Sequence, residues 1–231
     1  MGNKKFIAIA GVVVILVAVI FFIKILTIRN IVIVGNRNLT ELQIRKAIGL
    51  KEGNSILYPP SKVIYERLKK LAWIKEAVIR KDLNGTLTVY VKESTAIAIA
   101  LFNDRAYLID SDCQILEDFT EKLNNTKIFL PILKNIDPFK NREMLHAAVE
   151  LVNFLNSKGY IKSENEIVIN GSEPENLSVY LNSFHIIVGK GDYETKFAKY
   201  LIVNSEIQKR GLKVQYLDLR FPDRVIVKPV E

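Results

Sequence analysis

The residues able to do chemistry in this 231-residue chain are few, and they do not cluster. His146 falls in a helical pattern with no second ligand at i+4, and His185 falls in a strand pattern. Histidine chemistry needs a neighbouring carboxylate or a second metal ligand, so both read as structural or surface residues. Cys113 is the only cysteine. That excludes an intrachain disulfide and any zinc site built from a cysteine cluster, and leaves a small buried hydrophobe as the plain reading. Asp110 and Asp112 have the spacing that opens a calcium loop, but the later ligands and the glycine do not follow. Asp110-Ser111-Asp112 therefore reads as a turn. Gly189-Lys190-Gly191-Asp192 resembles a fragment of a phosphate loop, yet it lacks the full spacing and the following Ser or Thr. A strand-to-helix turn is the simpler account. No Gly-x-Ser-x-Gly elbow is present. The sequence nominates no catalytic, cofactor-binding or metal-binding residue and points to a binding module.

The element that positions such a module comes first in the chain. Phe6 to Ile23 are eighteen uncharged residues, fourteen of them Phe, Ile, Leu or Val, with no proline and one glycine. Insertion of this run into a bilayer is favoured by about 4–8 kcal/mol as an upper estimate. It covers about 27 Å as a helix. Lys24 can snorkel, so Ile25 and Leu26 extend the span to about 31 Å, close to a hydrocarbon core. The run ends in Phe21-Phe22-Ile23-Lys24, which offers no small-residue cleavage site, so an uncleaved anchor is expected rather than a signal peptide. Lys4 and Lys5 precede the run, and Lys24 and Arg29 follow it, so local charge alone sets orientation weakly. A five-residue basic tail before the span and two hundred residues after it favour the tail inside and the bulk outside.

The whole chain carries 33 basic and 25 acidic residues, net +8. The charges are dispersed, without a basic run interleaved with aromatics, so nucleic acid is not an expected partner. An anionic surface or an acidic protein remains compatible with this excess.

After the span the pattern reads β-α-α-β-β. Ile31-Val32-Ile33-Val34 is a buried-strand run stopped by Gly35-Asn36. Thr40 caps a helix, Gln43 completes a capping box, Leu39 and Ile44 can form a hydrophobic staple, and Gly49 ends the helix. Ser61 is read as the cap of a second helix with Ile64, Leu68 and Leu71 on one face. Trp73 reads as core. Strands at Ala77–Lys81 and Thr86–Lys92 flank Asn84-Gly85, a hairpin signal because both residues tolerate positive φ. Leu87, Val89 and Val91 alternate with Thr88, Tyr90 and Lys92, so one face is buried.

Composition changes near Glu93–Ala98, where a strand-rich region begins. Strands are expected at Ala96–Leu101, Ala106–Ile109 and Cys113–Leu116, with Ile128–Leu133 demoted to an edge or a break by Pro131. A helix from Arg142 to Ser157 turns Leu145, Ala148, Val149, Val152 and Leu155 inward, and Gly159 closes it. Strands follow at Glu166–Ile169, Leu177–Leu181 and Phe184–Val188. A helix capped by Asp192 ends near Gly211, with Phe197, Tyr200, Leu201 and Ile207 as its stripe. Val214–Arg220, Phe221-Pro222-Asp223 and Arg224–Lys228 finish the chain.

These pieces, in this order, resemble the FtsQ/DivIB cell-division family. The residues that carry the resemblance are Ile31-Val32-Ile33-Val34-Gly35-Asn36 with the Thr40 cap, Leu71-Ala72-Trp73-Ile74-Lys75-Glu76-Ala77-Val78 and Leu87-Thr88-Val89-Tyr90-Val91-Lys92-Glu93. To these add Tyr107-Leu108-Ile109-Asp110 and the ending Leu217-Asp218-Leu219-Arg220-Phe221-Pro222-Asp223-Arg224-Val225. The chain departs from the family in having Lys81-Asp82-Leu83 where a hairpin proline is frequent, Ser94-Thr95 after Glu93, and Cys113 in place of a turn glycine. The resemblance implies an α+β organisation: cytoplasmic tail 1–5, transmembrane helix 6–26, POTRA-like domain 27–94 and a strand-rich β domain 95–231. It implies a non-catalytic, single-pass scaffold of the bacterial cytoplasmic membrane at the division septum, with no cofactor. Its partners would be small coiled-coil proteins of the FtsB and FtsL type, and other division proteins through the POTRA-like domain. Through them it would help control septal peptidoglycan synthesis.

Phe221 to Lys228 is expected to be an edge strand that accepts a partner strand. In an ideal strand Phe221, Asp223, Val225 and Val227 share one face, and Arg224, Ile226 and Lys228 share the other. Arg224 and Lys228 are expected to meet acidic partner residues. Against this stands simple pairing within its own sheet, with Asp218 and Arg220 as a same-face ion pair. Two other functions compete: a POTRA-bearing translocation component, although no run of barrel strands follows, and a membrane-anchored cell-wall enzyme, which needs a polar cleft.

Overall fold

A computed structural model describes residues 11, 13–15, 26–123, 125–126, 128–162, 166–181 and 184–230. Of the expected span, Gly11 and Val13–Ile15 are helical and exposed, and the rest of Phe6–Ile23 lies outside the described residues. No helix among the described residues is long and apolar enough to cross a membrane. The chain divides into two compact units, the first ending at Ser94 and the second beginning at Thr95.

The first unit is β1 (Asn30–Val34), α1 (Glu41–Ile48), α2 (Ser61–Leu68), β2 (Ile74–Lys81) and β3 (Thr86–Glu93). Its sheet has the order β1-β3-β2, with β1 parallel and β2 antiparallel to β3. Leu87, Val89 and Val91 of β3 are buried together with Ile44, Ile48, Ile64 and Leu68 of the helices, so period-2 and period-3.6 patterns meet in one core. The capping box forms as the residue types dictate. Thr40 Oγ1 accepts from the Gln43 N–H at 3.3 Å, and Gln43 Oε1 accepts from the Thr40 N–H at 2.8 Å. Gly49 closes the helix at φ 68°.

Two expectations here need correction. Ser61 is the first helical residue, Pro60 occupies the N-cap position, and no side chain caps α2; the fixed φ of Pro60 starts the helix instead. In the hairpin, Gly85 alone takes positive φ, at 91°. The turn is longer than two residues, because Gly85 N–H donates to Asp82 O and Asp82 N–H to Thr86 O, both at 2.9 Å. Asn84 contributes its side chain, whose Oδ1 accepts from the Thr86 N–H.

The second unit contains β4 (Ala96–Phe102), β5 (Arg105–Asp110), β6 (Ile115–Asp118), α3 (Thr120–Leu123), β7 (Ile132–Lys134), α4 (Arg142–Ser157), β8 (Ile167–Asn170), β9 (Ser178–Leu181), β10 (Phe184–Ile187), α5 (Tyr193–Arg210), β11 (Val214–Asp218) and β12 (Ile226–Pro229). A single sheet runs β12-β11-β10-β9-β8-β7-β4-β5-β6. The parallel neighbours β7/β8 and β10/β11 are joined through α4 and α5, as parallel pairing requires. Leu133, Ile169, Val179, Ile186 and Leu217 point to the core that also holds Leu145, Val149, Val152 and Phe197. Phe154 of α4 meets Tyr193 and Phe197 of α5, with ring centroids 5.8 and 5.0 Å away.

Several sequence boundaries shift. Ile132–Lys134 is neither an edge nor a break: β7 lies between β4 and β8. Pro131 sits just before it and needs no ladder N–H, while its carbonyl accepts from Ile99 N–H at 2.9 Å. Cys113 is not in a strand but in the turn before β6, at φ 58°. Asp192 holds the N-cap position of α5 at φ 50° without a side-chain bond. Leu201 is exposed rather than part of the buried stripe.

The Cys113 side chain is buried, and burial pushes its thiol above the usual range. A thiol reacts as the thiolate. Cys113 is therefore expected to resist maleimide labelling in the folded chain at pH 7 and to label fully in denaturant, counted by mass spectrometry. Rapid labelling under native conditions would contradict its placement.

Candidate functional site

An open sheet has two ends, and here they differ. At one end β6 pairs, among the described residues, only with β5 and carries Glu117 and Asp118. Those carboxylates already hold Lys122 at 3.1 Å and Arg105 at 3.5 Å. At the other end β12 pairs, among the described residues, only with β11, in antiparallel register with Leu217↔Val227 and Asp218↔Ile226.

The backbone direction along β12 follows from one bond. Val230 N–H donates to Lys213 O at 3.0 Å. Peptide groups alternate sides along an antiparallel strand. Lys228 and Ile226 therefore turn their N–H and C=O toward β11, and Val227 and Pro229 turn theirs to the open side. Pro229 has no N–H to leave unpaired there, which is where a sheet tolerates proline. The open side offers Val227 N–H, Val227 C=O and Pro229 C=O. That is enough to receive another strand, and it limits the registers available to it.

The expected strand Phe221–Lys228 is thereby corrected. Only Ile226, Val227 and Lys228 of the nominated residues lie in β12, and Pro229 joins them. Phe221, Asp223, Arg224 and Val225 belong to the connection from β11, because Pro222 interrupts regular extension. The face assignment otherwise follows the ideal pattern. Val225 and Val227 are half-buried against the core, and Ile226 and Lys228 are exposed. Arg224 lies over the Phe221 ring at 5.4 Å and 4.0 Å from Asp223.

The connection is held at its root by the Asp218–Arg220 pair. The guanidinium meets both carboxylate oxygens, with contacts from 2.7 to 3.2 Å, and donates to Asn176 Oδ1 at 2.8 Å. The Arg220 N–H adds a bond to Asp218 Oδ1 at 3.0 Å. Burial by itself would raise the Asp218 carboxyl, but the Arg220 bonds outweigh it and hold it below the usual range. Gly189, at φ 64°, makes room for this arm: a Cβ there would stand 3.0 Å from Glu175 O and 3.1 Å from Arg220 Cγ. Glu175, Gly189, Lys190, Lys196, Arg220 and Phe221 line an open depression of about 580 Å³. Its cations are engaged: Lys190 with Glu143 at 2.7 Å and Lys196 with Lys190 O at 2.9 Å.

On the sheet face away from α4 and α5, one cross-strand row runs Tyr180, His185, Tyr216, Lys228. Tyr180 and His185 stack at 4.5 Å, His185 meets Tyr216 edge-on at 6.3 Å, and Lys228 sits over Tyr216 at 5.9 Å. Burial pushes the His185 pKa down, which favours the neutral ring, and the stacked ring serves as packing. His146 is exposed on α4. Asp110 Oδ1 accepts from the N–H groups of Asp112 and Gln114 at 2.9 Å each, so it is engaged in its own turn. Among the described residues no cluster of His, Cys, Asp or Glu could hold a metal ion. Sequence reasoning missed Pro229 as the strand's last residue and Tyr216 as the support under Lys228. Pro229 was findable, since proline fits an edge position.

Residues 26–94 match the family model for the FtsQ-type POTRA domain. The chain is 23% identical over 203 residues to the cell division protein FtsQ of Geotalea daltonii, covering 84% of this chain and 72% of that protein. It is 25% identical over 219 residues to the cell division protein DivIB of Clostridium botulinum, covering 90% and 83%. A third relative, the FtsQ of Rickettsia bellii, is 31% identical over 129 residues, or 56% and 42% of the two chains. Residues 26–94 thus form an FtsQ-type POTRA domain, and across both units the chain is similar to FtsQ and DivIB cell-division proteins.

Proposed function

We propose that this protein is a non-catalytic scaffold of the bacterial division machinery, anchored in the cytoplasmic membrane by residues 6–26. Its POTRA and β units are extracytoplasmic, at the septum. It captures small coiled-coil division proteins of the FtsB and FtsL type and through them helps control septal peptidoglycan synthesis. Other division proteins meet its POTRA domain.

The observation that carries this reading is the open side of β12. A partner segment in extended form adds as a tenth strand of the nine-stranded sheet, bonding to Val227 and to the Pro229 carbonyl. Main-chain bonds supply affinity, and side chains supply choice. Ile226 and Lys228 then face partner residues on the exposed side, with Arg224 just before them. Acidic partner residues complement Arg224 and Lys228.

Co-purification from membranes tests this. The wild-type chain should recover small coiled-coil membrane proteins. Val227→Pro removes the N–H on the open side without touching a bond to β11, and is expected to cut recovery by about tenfold or more, the loss of one or two main-chain bonds. Val225→Pro acts one position before the strand and should have a smaller effect in the same direction. Val227→Thr keeps the N–H and should recover partner nearly as well as wild type. Full recovery by Val227→Pro would rule out strand addition at β12.

A further inference from the structure

The first unit has an end where its chain enters from the apolar run, and that end is not finished like the surface of a soluble domain. Leu57, Tyr58 and Leu83 are 59%, 74% and 73% exposed. Single exposed apolar residues are ordinary, but these three are tied to the same short segment. Ile56 N–H donates to Leu26 O at 2.8 Å, and Thr27 bridges to Ser55. Ile28 N–H donates to Asn54 O at 2.7 Å, and Gly53 N–H to Ile28 O at 2.8 Å. The loop bearing Leu57 and Tyr58 is thus laced to Leu26–Ile28. The β2–β3 turn bearing Leu83 is laced to it from the other side, since Arg29 N–H donates to Gly85 O at 2.7 Å. Gly85 is required for that approach, because a Cβ there would stand 2.7 Å from Thr27 O. Lys81 ties the loop and the turn together by donating to Leu57 O at 3.3 Å and to Pro59 O.

We propose that this rim, Leu57, Tyr58 and Leu83, rests in the headgroup layer of the bilayer beside the anchor. The inference depends on the anchor reading above. The occupant follows from chain continuity: Leu26 is the last residue of the expected span, and its carbonyl is bonded to the residue before Leu57. A rim fastened at that point meets lipid before it meets any other partner. The residue types suit that layer, since a Tyr ring places its hydroxyl at headgroup level with its body in the acyl boundary. The surrounding charge suits an anionic leaflet. Lys81 is bonded to the loop and Arg29 lies against Gly85, while Arg80 is paired with Asp82 at 3.0 Å and Glu52 with Arg45 at 3.1 Å, which leaves the excess positive. The anchor makes the contact intramolecular, so a small apolar foot is enough to hold it. The opposite end of the unit differs in its connections. Leu42, also exposed, lies on α1 beyond the far end of β1.

The test uses the full chain in liposomes of phosphatidylglycerol and phosphatidylcholine, in a Cys113→Gly background that suits the φ of 58° at that turn. Leu57→Cys, Tyr58→Cys, Leu83→Cys and Leu42→Cys each carry an environment-sensitive fluorophore. Nitroxide lipids labelled near the headgroup should quench the first three by about twofold or more and leave the Leu42 site near its unquenched level. Quenching should weaken in purely zwitterionic vesicles. Resistance to carbonate extraction reports the anchor separately. A chain that resists extraction but shows rim sites no more quenched than Leu42 overturns the rim contact while the anchor stands. A chain that is extracted overturns both. Shielding of the rim labels only after detergent-solubilised membrane proteins are added overturns lipid as the occupant in favour of protein.

Discussion

Arg220→Ala is expected to destabilise the second unit by about 3–4 kcal/mol, more than Asp218→Ala at the other end of the same ion pair. The asymmetry follows from burial. Asp218 is 4% exposed and cannot rejoin water when its partner is removed. The Arg220 side chain is 37% exposed and can. Losing Arg220 strips three close contacts from a carboxylate that keeps only the backbone N–H of residue 220. Losing Asp218 leaves a guanidinium that still reaches Asn176 Oδ1 and solvent, at a cost of about 1–2 kcal/mol. For a unit of this size 3–4 kcal/mol lowers Tm by about 8–15 °C, which calorimetry of the detergent-solubilised chain resolves. The pH dependence gives a second reading. Asp218 is held below its ordinary 3.8 in the fold. Its contribution is therefore present above the unfolded value and lost as pH falls through the lower folded value. In Arg220→Ala burial dominates and drives the carboxyl up, so protonation then favours the folded state and the deficit relative to wild type should shrink as pH falls through the acid range. Equal effects from the two substitutions would show that the pair is not anchored as described. Because this pair fixes the start of the connection into β12, Arg220→Ala should also weaken partner recovery even below its Tm.

Local chemistry was the legible part of this fold. Thr40 and Gln43 specify their cap from four consecutive residues, and Leu87, Val89 and Val91 specify their face by alternation, because each signal is complete within one element. The helix Arg142–Ser157 matched residue for residue for the same reason: its apolar spacing and a closing Gly159 leave no other register. What failed was set at a distance. Pro131 looks like an edge marker in sequence, and only the parallel pairing of β7 on both sides shows that the strand starts after it. Asp110-Ser111-Asp112 was legible as a turn, but an apolar cysteine beside Ile115 and Leu116 looks like strand, and only the bonds that Asp110 collects from Asp112 and Gln114 show that the turn extends through residue 113 at positive φ. The candidate site was half legible. The alternation that puts Val227 inward and Lys228 outward was readable, but where the strand begins depends on Pro222 and on the Asp218–Arg220 anchor. Which peptide groups face the open side depends on a bond from Val230 to Lys213 that no sequence pattern announces.

Glu93→Gln should cost the first unit about 2–3 kcal/mol, although the substitution changes one heavy atom. Glu93 ends β3 and gathers the chain between β1 and α1. Its carboxylate accepts from the N–H of Arg37 at 3.0 Å, of Asn38 at 2.8 Å and of Leu39 at 3.1 Å, and from the Asn38 side-chain amide at 2.9 Å. Both oxygens are used, so an amide must point its NH2 at donors and forfeit at least one bond. The loop it holds delivers Thr40 to its capping position, which links a single side chain to the start of α1. Burial alone would raise the Glu93 carboxyl, and the four hydrogen bonds outweigh it and hold it below 4.5. The sign is that of a depressed carboxylate: the stabilisation is complete above the unfolded pKa and disappears as pH falls through the folded one. Wild type should therefore lose stability in this unit below about pH 4.5, and Glu93→Gln should start lower and lack that part of the slope. Denaturant melts followed by Trp73 fluorescence read this unit selectively, because Trp73 is the only tryptophan of the chain and is buried in it. A Glu93→Gln protein with wild-type stability at pH 7 and the wild-type acid slope would remove this carboxylate from the account of how the loop is held.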